Sequence, residues 1–236
     1  MLPRVLEPEV MDTPQEAIDY DAMDHSAVNR LFVTDFLFAA VEAALPVAEK
    51  PATAEGKPVE VLDLGTGTAQ IPIELCRRAA NIRVVAIDLA AEMLQMAKLN
   101  VELASLRERI MLDRVDGKQL PYEDGRFDAV MSNSIVHHIP EPASVLAEVV
   151  RVARPGGLIF IRDLLRPESN AAVVRLVDAY AAGCNEHQHG LFEASLRAAL
   201  SLDEIRALIA ALGFPADSVR ATSDRHWTWM ANASLA

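Results

Sequence analysis

Val61-Leu62-Asp63-Leu64-Gly65-Thr66-Gly67-Thr68-Ala69 is an apolar run that breaks into a two-glycine turn, with a helical pattern from Ile71 onward. Gly65 permits a sharp turn, and Gly67 lets the backbone approach a ligand because no Cβ intervenes. The spacing selects among ligands. A dinucleotide fingerprint requires glycine or alanine three residues after the second glycine, and Gln70 stands there. A phosphate-cradling loop requires Gly-Lys-Ser/Thr, which is absent.

Outward from this turn, short β-branched runs alternate with helical stretches. The runs are Val59–Leu64, Val84–Ile87, Ile110–Val115, Ala129–Ser132 and Leu158–Ile161. Between them, Ile71–Ala80, Ala91–Leu106 and Ala143–Ala153 have helical spacing. Such alternation predicts parallel βαβ units with right-handed crossovers. Before the core, Ala27–Ala48 carries apolar residues at helical spacing, including Val28, Leu31, Phe32, Phe36, Ala39 and Ala43. Lys50–Pro58 has the composition of a connector. After the core come candidate helices at Ala171–Ala182, Leu191–Leu200 and Leu202–Leu212. The last has Ser201 as N-cap, Glu204 three residues on and Gly213 as its stop. Ser218–Thr222 and His226–Met230 close the chain as strands. The expected class is α/β: a doubly wound sheet with N-terminal and inserted helices. Its parts are expected at 1–57 (helical lid), 58–163 (cofactor-binding α/β core) and 164–236 (helical insertion and closing strands of the same domain).

Asp63-x-Gly65-x-Gly67-x-Ala69 resembles motif I of the class I S-adenosylmethionine-dependent methyltransferases, which usually place a third glycine where this chain has Ala69. Further landmarks follow in the family's order. Val84–Ile87 ends in Asp88, 23 residues after Gly65, and Asp116-Gly117 follows the third run. Phe127-Asp128-Ala129-Val130 and Arg154-Pro155-Gly156-Gly157 resemble the fourth- and fifth-strand signatures. Ser134-Ile135-Val136-His137-His138-Ile139-Pro140-Glu141-Pro142 is similar to a segment of the ubiquinone/menaquinone-biosynthesis type.

The resemblance implies a Rossmann-like, seven-stranded, mostly parallel sheet with its last strand antiparallel. It also implies methyl transfer from S-adenosyl-L-methionine to a small molecule. By the same resemblance, Gly65, Thr66 and Gly67 would lie along the methionine portion and Asp63 would meet its amino group. Asp88 would take the ribose hydroxyls, as two carboxylate oxygens can accept from both. Leu89, Met93, Asp116 and Gly117 would surround the adenine, and Ser132 and Asn133 would face the reacting end.

A sulfonium methyl is already activated, so displacement mainly needs an oriented acceptor, and a general base is optional. The candidate bases are His138, His137 and His226, with Arg225 placed to meet an acidic acceptor; His187, His189, Asp163 and Glu186 are further candidates. Being adjacent, His137 and His138 are not both expected to face the cofactor. Cys184-Asn185-Glu186-His187-Gln188-His189 concentrates metal-capable atoms but is expected to be a polar surface loop, and no metal is expected. Ala17–Asn29, with Tyr20, Met23, Asp24 and His25, is expected to form a lid over the cofactor.

Composition narrows the alternatives. With 22 Lys+Arg against 34 Asp+Glu the net charge is −12, which opposes a nucleic-acid partner. Two cysteines make no disulfide framework. No apolar run reaches the ~18–20 residues of a membrane span, and Met1–Glu9 lacks signal-peptide order, so a cytoplasmic protein is expected. The rival readings are a cofactor-binding partner protein without catalysis, a nucleic-acid methyltransferase and a nicotinamide enzyme; Gln70 opposes the last. Acceptor identity, attacking atom and oligomeric state leave no mark in the sequence.

Overall fold

The computed structural model describes residues 2–10, 12–47 and 57–233. The helices are α1 (Pro14–Asp21), α2 (Ser26–Glu42), α3 (Gln70–Arg78), α4 (Ala91–Leu103), α5 (Pro142–Val152), α6 (Asn170–Tyr180), α7 (Glu186–Ala198) and α8 (Leu202–Ala211). The strands are β1 (Val59–Leu64), β2 (Ile82–Asp88), β3 (Ile110–Arg114), β4 (Phe127–Asn133), β5 (Ala153–Leu164), β6 (Val219–Ala221) and β7 (His226–Asn232). They form one seven-stranded sheet in the order β3-β2-β1-β4-β5-β7-β6. β1 pairs in parallel with β2 and β4, β2 pairs in parallel with β3, and β6 runs antiparallel to β7. The expected sheet is the observed one.

Contacts group the chain into two compact units. The larger comprises Val10–Asn133, Ser144–Ile161 and Met230–Ala236. Its strands are continuous apolar runs because both faces are covered: every residue of β1 except Glu60 is buried. Phe32 and Phe36 of α2 meet Phe160 edge-on, with ring centroids 5.3 and 5.9 Å apart, a geometry that aligns ring edges with ring faces. Val33, Ala39 and Ala40 complete the buried face of that helix, whereas Leu31, expected inside, is exposed.

The smaller unit comprises Met1–Glu9, Ser134–Ala143 and Arg162–Trp229. Leu164, Val173, Leu176, Val177, Leu196 and Ala199 form its core. Trp227 and Trp229 are fully buried, and Trp229 meets Phe214 edge-on at 5.4 Å.

Ala17–Asn29 spans the end of α1 and the start of α2, with the Asp24 carboxylate accepting from the Ser26 backbone N–H between them. Two local expectations change. The polar run Cys184–His189 is the start of α7 rather than a loop. Asn185 and Gln188 form a reciprocal capping box there, which satisfies two backbone donors at a helix start. The strand expected at Leu158–Ile161 begins at Ala153 and extends to Leu164. Gly156 takes φ +76°, and a Cβ on Gly157 would stand 2.8 Å from the Arg154 carbonyl oxygen. The Lys50–Pro58 connector lies mostly outside the described residues. The capping box of Ser201 and Glu204 on α8 is as expected.

Candidate functional site

The order β3-β2-β1-β4 reverses direction beside β1. In open α/β sheets, ligands bind outside the carboxyl ends of the strands at such a switch point. The glycine turn leaves β1 there, and Asn133 ends β4. Gly65 and Gly67 take φ values of +72° and +55°, conformations that cost glycine little. Ala69 takes φ +62° and is the N-cap of α3, so the alanine adopts the left-handed geometry that a glycine would occupy freely. The Gly65 and Thr66 N–H groups both donate to the Ile87 carbonyl at 2.9 Å.

Asp88 knits this turn to the next one. Its Oδ2 accepts from Gly67 N–H at 2.8 Å, and its Oδ1 accepts from Ala90 N–H at 2.9 Å. Burial raises its pKa, and these backbone donors pull against the rise. A carboxylate offers about four acceptor sites, so with Gly67, Ala90 and Leu89 as donors Asp88 keeps some acceptor capacity.

A pocket beside the turn is lined by Tyr20, His25, Asp63, Thr66, Gln70 and Asn133, among others. Asp63 is 2% exposed, and burial pushes its pKa up to about 7. Its Oδ2 makes no hydrogen bond, nor does Asn133 Oδ1, although the Thr66 hydroxyl beside the carboxyl pulls its pKa back against burial. Two orphaned oxygens in one pocket form a receptor for a donor, and a cationic ammonium suits the carboxylate best. These residues therefore fit the methionine amino end of S-adenosylmethionine.

The remaining expected cofactor residues distribute around this turn. Ser132 donates its hydroxyl to the Leu64 carbonyl at 2.7 Å and is fully buried, so its side chain is engaged in holding β4 to β1. Met93 packs with Ala17 and Ala90, with Tyr20 against the cluster. Leu89 accepts from the Arg114 guanidinium through its carbonyl. Asp116 accepts from the Lys118 N–H at 2.9 Å and pairs with its ammonium at 3.1 Å. Burial would raise the Asp116 pKa, but Lys118 wins and lowers it. A Cβ on Gly117 would meet Leu64 at 2.8 Å, so this glycine lets its loop close on β1.

Tyr20 and His25, from the segment expected as a lid, line the pocket, as do Thr68, Gln70 and Ile71, which were not among the expected cofactor residues. The Tyr20 phenol, buried among Asp88, Asp63 and Asp21, is pushed up to about 12. Asp21 accepts from Gln70 at 2.9 Å and from Asn100 at 2.8 Å, tying the end of α1 to α3 and α4.

In the smaller unit, His137 Nδ1 lies 2.6 Å from Asp163 Oδ1, both side chains being buried. Burial favours the neutral ring, yet Asp163 and Glu7 outweigh it and hold the His137 pKa above its ordinary value. Burial and the adjacent His137 push His138 down to about 4. Burial, with Arg225 and Arg162, pushes His226 to about 4 as well. His226 Nδ1 pairs with Ser223 Oγ at 2.9 Å. The Arg225 guanidinium stacks 3.3 Å over the Tyr180 ring and pairs with Asp224. Asp163 and His137 thus form one pair, while Arg225 and His226 are engaged at the start of β7.

A methyltransferase-domain family model matches residues 62–161. Demethylmenaquinone methyltransferase of Thermus thermophilus is 30% identical over 169 residues, 68% of this chain and 76% of that protein. The 27-O-demethylrifamycin SV methyltransferase of Amycolatopsis mediterranei is 28% identical over 163 residues, 69% of this chain and 56% of that protein. The chain spans about half the length of several other curated relatives it matches. Among solved structures, an S-adenosyl-L-methionine-dependent methyltransferase from Methanococcus maripaludis, described as putative, shares the fold. It has a TM-score of 0.67 at 15% identity and covers 98% of both chains. With the Asp63–Ala69 turn at the switch point and Asp88 bound to it, these matches place the chain in the class I S-adenosylmethionine-dependent methyltransferases.

Proposed function

We propose that the protein transfers a methyl group from S-adenosylmethionine to a small-molecule acceptor by in-line displacement. The observation that carries this reading is the unpartnered, buried Asp63 oxygen in the pocket beside the glycine turn. Bound S-adenosylmethionine supplies a sulfonium methyl already activated for displacement. The chain's own residues bind and orient. Asp63 and Asn133 would hold the amino end, and Gly65, Thr66 and Gly67 would offer backbone at close approach. Asp88 would take the ribose hydroxyls on its remaining lone pairs. Leu89, Met93, Asp116 and Gly117 would flank the adenine.

Tyr20 and the Asp21 ties to Gln70 and Asn100 support a covering role for α1. That cover would exclude water from a reaction that consumes a positive charge. Most of the rate enhancement is assigned to orientation, which can supply about 7–11 kcal/mol. His138 and His226, with pKa values near 4, are weak proton acceptors, because a general base works best with a pKa near the working pH.

A small acceptor is supported by the relatives named for demethylmenaquinone and 27-O-demethylrifamycin SV, and by the net charge of −12. No described helix is long and apolar enough to cross a membrane. The two free cysteines support a reducing compartment such as the cytoplasm. Incubation with methyl-labelled S-adenosylmethionine and separate small-molecule, protein and nucleic-acid fractions of a cell extract tests the reading. Label should enter the small-molecule fraction. Label confined to nucleic acid or protein would overturn it.

A further inference from the structure

Glu7, His137 and His138 bring three acceptor atoms to one point in the smaller unit. Glu7 Oε1 lies 3.5 Å from His137 Nε2 and 3.2 Å from His138 Nδ1. All three ligand atoms fall within 4.8 Å of one another. We propose that these residues form a binding site for a divalent transition metal of the zinc class.

The other polar atoms of His137 and Glu7 are already committed, which leaves the converging atoms aimed at the shared point. His137 Nδ1 is paired with Asp163 Oδ1 at 2.6 Å, so a neutral His137 carries its proton there and directs the Nε2 lone pair toward Glu7. His138 Nδ1 is buried without a hydrogen-bond partner and faces Glu7 Oε1, so its neutral ring can present a lone pair there. Glu7 Oε2 accepts from the Ser195 hydroxyl at 3.2 Å, while Oε1 is buried and unpartnered. The Glu7 side chain is 8% exposed. Three inward acceptor atoms, one on a carboxylate, repel each other unless a proton or a metal cation lies between them.

The spacing fits such a cation. Ligand bonds of about 2.0–2.1 Å in tetrahedral geometry put neighbouring ligand atoms roughly 3.3–3.4 Å apart, which the two Glu7 distances bracket. Two imidazoles and a carboxylate are a donor set that zinc accepts, with a fourth position left for water. A ligating histidine commonly gives its other N–H to a carboxylate or a backbone carbonyl, and His137 has such a carboxylate in Asp163. Glu7 and Asp163 together balance a divalent charge. The Arg4 guanidinium is the nearby cation, and its donors go to the carbonyls of His137, Ile139, Pro140 and Ala198. It therefore fixes the backbone of the two histidines from outside the ligand point. Sequence gave no reason to join residue 7 to residues 137 and 138, and no metal was expected.

The test is a zinc titration of the metal-stripped full chain against a chromophoric chelator, with cobalt(II) absorption as a second readout. One equivalent should bind, and cobalt should give the intense visible bands of a four-coordinate site. Glu7→Gln and His138→Gln should each weaken binding at least tenfold. Asp163→Asn, which loosens His137 and also touches the Val136 and Leu164 N–H groups, should weaken it about 10–100-fold. His189→Gln, on α7, should bind as the parent does. Parent protein that takes up no zinc, or that binds it equally well in Glu7→Gln and His138→Gln, would overturn the site. In that outcome the three residues share a proton instead. Neither readout involves methyl transfer, so failure here leaves the methyltransferase reading standing.

Discussion

Asp63 is the residue whose chemistry is most specific to the proposed ligand. Its pKa near 7 in the folded, ligand-free protein lies above the ordinary carboxylate value. Ionising it therefore costs the fold stability as pH rises from about 4 to about 7, and the cost is complete above that. A cationic amino group placed against it favours the carboxylate, so binding below pH 7 must first release a proton. Affinity for S-adenosylmethionine should then rise between pH 5.5 and 7.5, by up to about tenfold per unit on the acid side. Asp63→Asn should bind more weakly and show a flat profile. Calorimetry across that range checks both, and a flat profile in the parent protein would separate Asp63 from the ligand.

Ala69 makes a purely conformational prediction. A left-handed backbone costs an L-residue about 1–2 kcal/mol, while the buried methyl returns about 0.8 kcal/mol. Ala69→Gly should accordingly change the unfolding free energy by less than about 1 kcal/mol. Ala69→Val, β-branched at φ +62°, should lose more than about 2 kcal/mol. Denaturant melts distinguish the two.

At the scale of elements, the patterns written in local sequence are the ones that survive. β1 occupies Val59–Leu64, as its apolar run predicts, and Ser201 caps α8 through the side chain that names it. Elements whose local signals compete were less legible. α7 starts at Glu186 because Asn185 caps it, although the residues that follow look like a polar loop. β7 and the residue before it separate two roles that can be tested. Trp227 is fully buried, so Trp227→Ala should cost about 3–5 kcal/mol. Arg225 lies over the Tyr180 ring, a cation–π contact, so Arg225→Ala should cost only about 1 kcal/mol. Comparable losses in urea melts would contradict this division.

At the scale of the molecule, the seven-stranded order and the position of the glycine turn were legible because each strand–turn–helix unit carries its own pattern. The candidate site was legible in part because Asp63, Gly65, Thr66, Gly67 and Asp88 are contributed by two consecutive βα units. The tie between Asp21 of α1 and Gln70 escaped because it joins residues about fifty positions apart. The Glu7–His137–His138 cluster escaped for the same reason, joining residues about 130 positions apart. The central claim is that this turn and Asp88 together hold S-adenosylmethionine, and calorimetric titration of the parent protein and of Asp88→Ala tests it most directly. Hydrogen bonds to a charged group are worth about 1.5–3 kcal/mol each. The parent should therefore bind S-adenosylmethionine and not NADH, and the folded variant should bind at least about tenfold more weakly. No heat with S-adenosylmethionine alongside tight NADH binding, or an unchanged dissociation constant in the folded variant, would contradict the account.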